Sequence, residues 1–147
     1  MLHLVKVFIA EDEPFIALPL AFAVDEARGM IIGPAGSVAE AKLLLEDAKP
    51  DIGVLDVHLS DGEISSIAAL FAERAIPIIF HCANFPPHLG ERHPKAPVCI
   101  SLPIPRPSSG RSPFCWAGWA AELATDKSLI GSKIRRGTQS VLGYCQS

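Results

Sequence analysis

Short apolar runs alternate, along the first hundred residues, with longer segments whose apolar positions recur at helical spacing. Four runs predict buried β-strands, at residues 4–10, 30–32, 52–57 and 76–82. A fifth run, at residues 98–102, predicts one more strand. Apolar strands that alternate with amphipathic helices form a parallel sheet with helices on both faces, so the pattern predicts an α/β fold.

The first predicted helix follows strand one and ends near Arg28. Pro14 suits the first helical position, where a missing N–H costs nothing, and either Asp12 or Glu13 can cap the helix. Pro19 should clash with the carbonyl four residues before it, so we expect a kink or a late start. One face of this helix carries large apolar side chains, namely Phe15, Leu18 and Phe22.

The second predicted helix begins with a capping box at residues 37–40, because Ser37 and Glu40 have the S-x-x-E spacing. Gly33-Pro34 is expected to end strand two. Ser60-Asp61-Gly62 predicts a loop before the third helix. Prolines interrupt residues 83–97, where no clear helix is predicted. The third helix has apolar positions at Ile64, Ile67, Ala68, Phe71 and Ala75.

The composition is typical of a soluble globular protein. Hydrophobic residues make up 49% of the 147 residues, charged residues make up 20%, and the net charge is −3. There is no apolar run long enough to span a membrane and no secretory signal, and the four cysteines lack close CxxC spacing. We therefore expect a cytoplasmic protein with reduced thiols that does not act at a membrane.

The charge changes sign along the chain. Residues 1–98 hold 14 acidic and 7 basic residues, a balance of −7, whereas residues 99–147 hold 2 and 6, a balance of +4. The acidic part argues against direct nucleic-acid binding. Periodicity is lost after Pro103, so we divide the chain into a domain at 3–102 and an atypical tail at 103–147, disordered or partly helical. A change of reading frame near residue 99 and a divergent extension both explain this tail.

Acidic residues stand where two predicted strands end. Glu11 and Asp12 follow strand one, and Asp56 ends strand three. Ligands of doubly wound sheets bind beyond the carboxyl ends of the strands, so these side chains converge if the two strands are neighbours. Carboxylates about 4 Å apart repel by about 4 kcal/mol at an effective dielectric near 20, and Mg²⁺ would relieve that repulsion. The alternative is that each residue only caps a helix.

A carboxylate beside such a cation can act as a nucleophile on phosphorus, as it does in aspartyl-phosphate chemistry. No other motif competes with this one. His81, Cys82, His88 and His93 match no zinc-ligand spacing, and the chain lacks the spacing of a P-loop.

Three segments carry a resemblance to a known family. Residues 7–14, VFIAEDEP, resemble the opening of a response-regulator receiver domain. Residues 51–62, DIGVLDVHLSDG, are similar to its phosphoacceptor segment, and residues 75–80 resemble its fourth strand. The resemblance covers residues 3–100 and implies a flavodoxin-like sheet with the strand order 2-1-3-4-5.

The resemblance also implies a function in phosphorelay signalling. Asp56 would accept the phosphoryl group, and Glu11, Asp12, Asp56 and the backbone carbonyl of His58 would hold Mg²⁺. The donor would be a phosphohistidine on a sensor histidine kinase or a histidine phosphotransfer protein, and the output would be a contact with a downstream protein. The protein would not be an enzyme beyond its own phosphotransfer and dephosphorylation.

Two departures from the family keep alternatives open. The position that usually holds Thr or Ser is Cys82, whose thiol is a weak donor. The Lys usually found at the end of strand five is missing from residues 99–103. One alternative is a pseudo-receiver that is never phosphorylated and acts as a protein-interaction module. Another is a small phosphohydrolase with Asp56 as nucleophile, although such enzymes commonly have a second Asp where His58 stands.

Overall fold

The computed structural model describes residues 5–100 except 27, 83, 95 and 97, and these residues form a central parallel sheet flanked by helices. The order of the five strands in the sheet is β2-β1-β3-β6-β7, and every neighbouring pair is parallel. The elements, in chain order, are β1 (Lys6–Ala10), α1 (Pro14–Glu26), β2 (Met30–Ala35), α2 (Val38–Asp47), β3 (Ile52–Asp56), β4 (His58–Leu59), β5 (Gly62–Glu63), α3 (Ser65–Glu73), β6 (Ile78–Cys82), α4 (Pro87–Arg92) and β7 (Val98–Ile100). The predicted doubly wound, flavodoxin-like fold is confirmed.

The described residues stop before the tail. The proposed division of the chain at residue 102 and the tail at 103–147 both lie outside them. Among the helices of the described part, none is long and apolar enough to cross a membrane.

One face of the sheet is covered by α2, α3 and α4. Glycine at position 53 makes this packing possible, because a Cβ there would lie 2.6 Å from Cε1 of Phe71. Phe71 also packs against Phe8 of β1, with a ring-centroid separation of 5.5 Å. The buried cluster on this face includes Phe8, Leu45, Leu55, Ile67, Phe71, Phe80 and Leu89.

The other face carries α1, because connections between parallel strands are right-handed and the chain moves from β1 to β2 in the opposite direction to its later crossovers. Among the side chains of α1 that the structure describes, Ala17, Leu20 and Val24 are buried. The predicted apolar residues do share a face of the helix, but it is the outer one: Phe15 is 85% exposed, Leu18 58% and Phe22 66%.

The structure corrects two expectations about prolines in the first 35 residues, namely a late start of α1 and an end of β2 at Gly33-Pro34. The kink that was expected at Pro19 as the alternative to a late start stays a prediction. Helix α1 does not start late: it begins at Pro14, and the carbonyl of Glu13 accepts the first helical hydrogen bonds from Ile16 and Ala17. Strand β2 does not end at Gly33-Pro34 but continues to Ala35. Because β2 is an edge strand, its proline removes no ladder hydrogen bond in the sheet interior, and the register with β1 shifts there.

The expectation of no helix in residues 83–97 is also wrong, since α4 spans Pro87–Arg92. Its two prolines stand at the N-cap and the first helical position, where proline is tolerated, and Leu89 is buried against the sheet. The predicted capping box of α2 is confirmed in part. The hydroxyl of Ser37 accepts a hydrogen bond from the N–H of Glu40 at 3.0 Å. The carboxylate of Glu40 accepts from the N–H of Gly36, one residue before the N-cap, at 3.0 Å.

Candidate functional site

Parallel pairing brings the ends of β1 and β3 to one edge of the sheet. Ala10 is the register partner of Leu55, so Glu11 and Asp56 follow at the same level on adjacent strands. Carboxylate oxygens of Glu11, Asp12 and Asp56 all lie within 4.8 Å of one another. The three side chains predicted to converge therefore do converge.

The three carboxylates differ in their surroundings. Glu11 is buried, being 4% exposed, and its Oε1 accepts a hydrogen bond from the N–H of Glu13 at 3.1 Å. Asp12 is exposed and Asp56 is half-buried. The site is therefore open on the side of Asp12 and closed behind Glu11.

Crowding of these acids alters their protonation. Burial is the largest cause that raises the pKa of Asp56 to about 8, and the negative charges of Glu11 and then Asp12 add to it, while a backbone hydrogen bond at His58 opposes the shift. Burial, followed by the charge of Glu11, also raises the pKa of Asp12. Without a cation, the crowded cluster therefore binds a proton more tightly than an isolated carboxylate would.

A hard divalent cation fits this donor set. The oxygens of the three carboxylates lie within 4.8 Å of one another, and they would move closer together to reach the ligand distance of about 2.1 Å from one Mg²⁺ ion. The cation would also replace a proton bound by the cluster and relieve the repulsion. Within the described part of the chain, this is the single cluster of three such side chains that could hold a metal.

Cys82 ends β6 beside this edge and is buried, at 4% exposure. Burial and, second, the charge of Asp56 raise the pKa of its thiol to about 11. The group at the position of the usual hydroxyl is therefore a neutral thiol at physiological pH. It can donate only weakly to an anion on Asp56.

The loop after Asp56 is held by α2. A two-stranded hairpin, β4 and β5, turns at Ser60 and Asp61, and the hydroxyl of Ser60 donates to the carbonyl of Gly36 at 2.9 Å. The carboxylate of Asp61 accepts hydrogen bonds from the N–H groups of Val38 at 2.6 Å and Ala39 at 3.1 Å. These bonds lower the pKa of Asp61.

Sequence reasoning missed this cap, because Asp61 lies more than 20 residues from the helix it caps. Sequence analysis also expected a ligand role for the backbone carbonyl of His58. The side chain of His58 is exposed, and the role of its carbonyl stays a prediction.

His81 is a second residue of this edge that sequence reasoning did not assign to the site. It is the register partner of Asp56 on the adjacent strand, and its Nδ1 lies 3.7 Å from Oε2 of Glu11. The signal for it was strand alternation, since a residue two positions after Ile79 shares its face. By contrast, His88 pairs with a carboxylate outside the acidic cluster, since its Nε2 lies 2.7 Å from Oε1 of Glu63.

Comparison with known proteins finds similarity to bacterial regulatory proteins. PdtaR, a transcriptional regulatory protein of Mycobacterium tuberculosis, is 38% identical over 76 residues, which are 50% of this chain and 37% of that protein. The phyllosphere-induced regulator PhyR of Methylorubrum extorquens is 30% identical over 102 residues, which are 67% of this chain and 38% of that protein. No protein-family model matches the chain.

Among solved structures, the BeF3-activated conformation of SdrG from Pseudomonas melonis is similar to this chain. The two are 31% identical with a TM-score of 0.58, and the match covers 84% of this chain and 99% of that one. The chain spans less than two fifths of the length of the two curated relatives above.

Proposed function

Because the chain belongs to the receiver-domain family of response regulators, we propose that it accepts a phosphoryl group on Asp56 with the help of Mg²⁺. The observation that carries this proposal is the meeting of three carboxylates at the edge of the sheet, with Asp56 central to it. Glu11, Asp12 and Asp56 would hold the cation, together with the backbone carbonyl of His58.

The transfer is a displacement at phosphorus. A carboxylate oxygen of Asp56 attacks the phosphorus of a phosphohistidine, the new O–P bond forms, and the N–P bond to the imidazole breaks. The imidazole leaves with the bonding electron pair and takes a proton. Asp56 must be ionised to attack, and a cation that offsets the charges of Glu11 and Asp12 would favour that ionised form against the raised pKa of Asp56.

Mg²⁺ would supply positive charge that favours the ionised carboxylates and balances the charge on the transferring phosphoryl group. The residues of the chain perform the rest. Glu11 is held in place by the N–H of Glu13, and Asp12, being exposed, leaves the site open to an incoming donor.

Partners follow from this chemistry. The donor would be a sensor histidine kinase or a histidine phosphotransfer protein, and the output would be a contact with a downstream protein. The described residues offer no second metal cluster that would point to another reaction.

The test is phosphorylation with a small phosphodonor such as acetyl phosphate in the presence of Mg²⁺. We expect one phosphoryl group per chain, stable in acid and labile in base, as seen by intact mass. Asp56→Asn should abolish it, and removal of Mg²⁺ by chelation should do the same. Asp61→Asn is the matched control, because Asp61 lies in the same segment but is engaged in capping α2.

Three results would contradict the proposal. One is a wild-type protein that takes up no phosphoryl group, and another is an Asp56→Asn variant that takes up as much as wild type. Steady multiple-turnover hydrolysis of a phosphate ester that depends on Asp56 would favour a phosphohydrolase instead.

A pseudo-receiver is the second candidate, and Cys82 favours it. A buried neutral thiol donates a weaker hydrogen bond to the phosphoryl group than the usual hydroxyl would. Phosphorylation would therefore have a weaker effect on the conformation of the surrounding chain. The same phosphodonor experiment separates the two candidates, because a pseudo-receiver gains no acyl phosphate.

A further inference from the structure

We propose that His81 is a positioning residue of the cation site and that it acts by fixing the carboxylate of Glu11. This inference rests on the proposed function, because it concerns the same cluster of acids. It adds a residue that neither the sequence pattern nor the acidic cluster itself assigns to the site.

The first support is the placement of His81 in the sheet. Asp56 is in register with His81 on one side, and it follows the Ala10–Leu55 pair on the other, next to Glu11. Glu11, Asp56 and His81 therefore form one row across β1, β3 and β6. Backbones two strands apart are separated by about 10 Å, so side chains in such a row meet only if both lean over the middle strand.

The second support is that Glu11 and His81 do meet. Nδ1 of His81 lies 3.7 Å from Oε2 of Glu11, although β3 runs between their strands. The side chains of Glu11 and His81 thus approach each other across the strand that carries Asp56. The separation is longer than a direct hydrogen bond and is within reach of a small rotation of either side chain.

The third support is burial. The side chains of His81 and Glu11 are 5% and 2% exposed, so water does not replace a missing partner for this carboxylate. A buried anion is costly unless polar groups surround it. Glu11 has such a group on each oxygen: the N–H of Glu13 faces Oε1 and the imidazole faces Oε2.

A carboxylate with a polar neighbour at each oxygen is restricted in its rotation, so it is held ready to bind a cation. Residues that orient a metal ligand in this way typically contribute 10–100-fold to metal affinity. We assign this role to an N–H at Nδ1, so the effect should depend on a donor at that position and not on the size of the ring.

The experiment measures the dissociation constant of Mg²⁺ by calorimetry on the full chain. His81→Leu removes the donor and keeps an apolar residue of suitable size for a buried strand, and it should weaken binding about tenfold. His81→Asn places an amide N–H near the position of Nδ1 and should stay within about threefold of wild type. His88→Asn, at an exposed histidine with its own carboxylate partner, should leave the constant unchanged.

A second arm tests that the effect passes through Glu11. In a Glu11→Gln background, His81→Leu should weaken binding no further, because the carboxylate that it positions is already gone. If His81→Leu does not fold, His81→Val serves the same purpose with a smaller side chain and the same expected loss.

The outcomes separate the two proposals. Equal Mg²⁺ affinity in wild type and His81→Leu would overturn the role of His81 alone, and so would equal losses in the Leu and Asn variants. A further loss in the Glu11→Gln background would do the same. A wild-type chain that binds no Mg²⁺ would overturn both the cation site of the proposed function and this inference.

Discussion

The two faces of the sheet are built differently. On the face covered by α2, α3 and α4, large side chains such as Phe8, Phe71 and Phe80 are buried. On the other face, α1 buries Ala17, Leu20 and Val24 and leaves its largest side chains in solvent. The difference teaches that apolar spacing identifies a helix without identifying which side of it meets the sheet.

The largest expected effect compares one substitution on both faces. Phe71→Ala should lower the free energy of unfolding by about 3–5 kcal/mol, because it removes a buried ring and leaves a cavity. Phe22→Ala should change it by less than about 0.5 kcal/mol, because that ring is 66% exposed. Urea unfolding measures both, and similar losses would show that the outer face of α1 is covered in solution.

The second prediction makes the comparison within α1. Leu20→Ala should cost about 3 kcal/mol, since Leu20 is fully buried, whereas Leu18→Ala should cost less than about 0.5 kcal/mol. The two leucines share a helix and a residue type, so helix propensity cancels. A larger loss at Leu18 than at Leu20 would reverse the assigned inner face.

The third prediction concerns the edge of the sheet at which Glu11, Asp12 and Asp56 converge, between its two faces. Folded Asp56 keeps its proton up to about pH 8, whereas the unfolded side chain loses it near 3.8. The folded state holds more protons between these values, so this group's contribution to stability falls as the pH rises through that window. Asp56→Asn should therefore stabilise the metal-free protein above pH 8, by about 2 kcal/mol once solvent screening of a half-buried group is allowed for, and have little effect near pH 4.

Asp61 provides a control, because its pKa shift is opposite in sign to that of Asp56. Its pKa is lowered, so its contribution is present above the unfolded value of 3.8 and is lost as the pH falls through the folded value. Asp61→Asn should destabilise the protein at neutral pH. Urea midpoints across the pH range measure both variants, and a stabilising Asp61→Asn would contradict the cap seen in the structure.

The smallest expected effect tests the start of α2. Ser37→Ala removes the hydroxyl that accepts the N–H of Glu40 and should cost about 1 kcal/mol. Ser66→Ala, at an exposed position inside α3, should be neutral or slightly stabilising because alanine is the better helix former. A Ser37→Ala variant as stable as wild type would mean that Asp61 alone satisfies the first turn of α2.

The sheet could be predicted from the sequence because its strands are continuous apolar runs, and α2 because the capping box is a local signal. The inner face of α1 could not, because small residues such as Ala17 pack closely against strands although they score as weakly apolar. Helix α4 was missed for a related reason. Prolines can precede a helix or follow one, so the prolines before Leu89 did not indicate that a helix begins there. The burial of Leu89, which the sequence does not reveal, accounts for the helix.

The candidate site also has one part that could be predicted from the sequence and one part that could not. Convergence of Glu11, Asp12 and Asp56 follows from the strand ends once β1 and β3 are neighbours, and the family resemblance, not the spacing of the residues, implied that they are. The contacts made by distant segments were not foreseeable, although strand alternation indicated which face of the sheet His81 shares. Asp61 reaches α2, and His81 reaches across a strand to Glu11, through the three-dimensional arrangement of the sheet.

The attachment of Asp61 to α2 has a consequence for how a chemical event at Asp56 could travel. Four residues separate these two aspartates, and the segment between them is tied to the sheet at one end and to the amides of Val38 and Ala39 at the other. A displacement of this short segment must either lengthen the two hydrogen bonds to Asp61 or move the first turn of α2 with it. Deuterium uptake at the amides of residues 38 and 39 would then report whether the segment that leads away from Asp56 has moved.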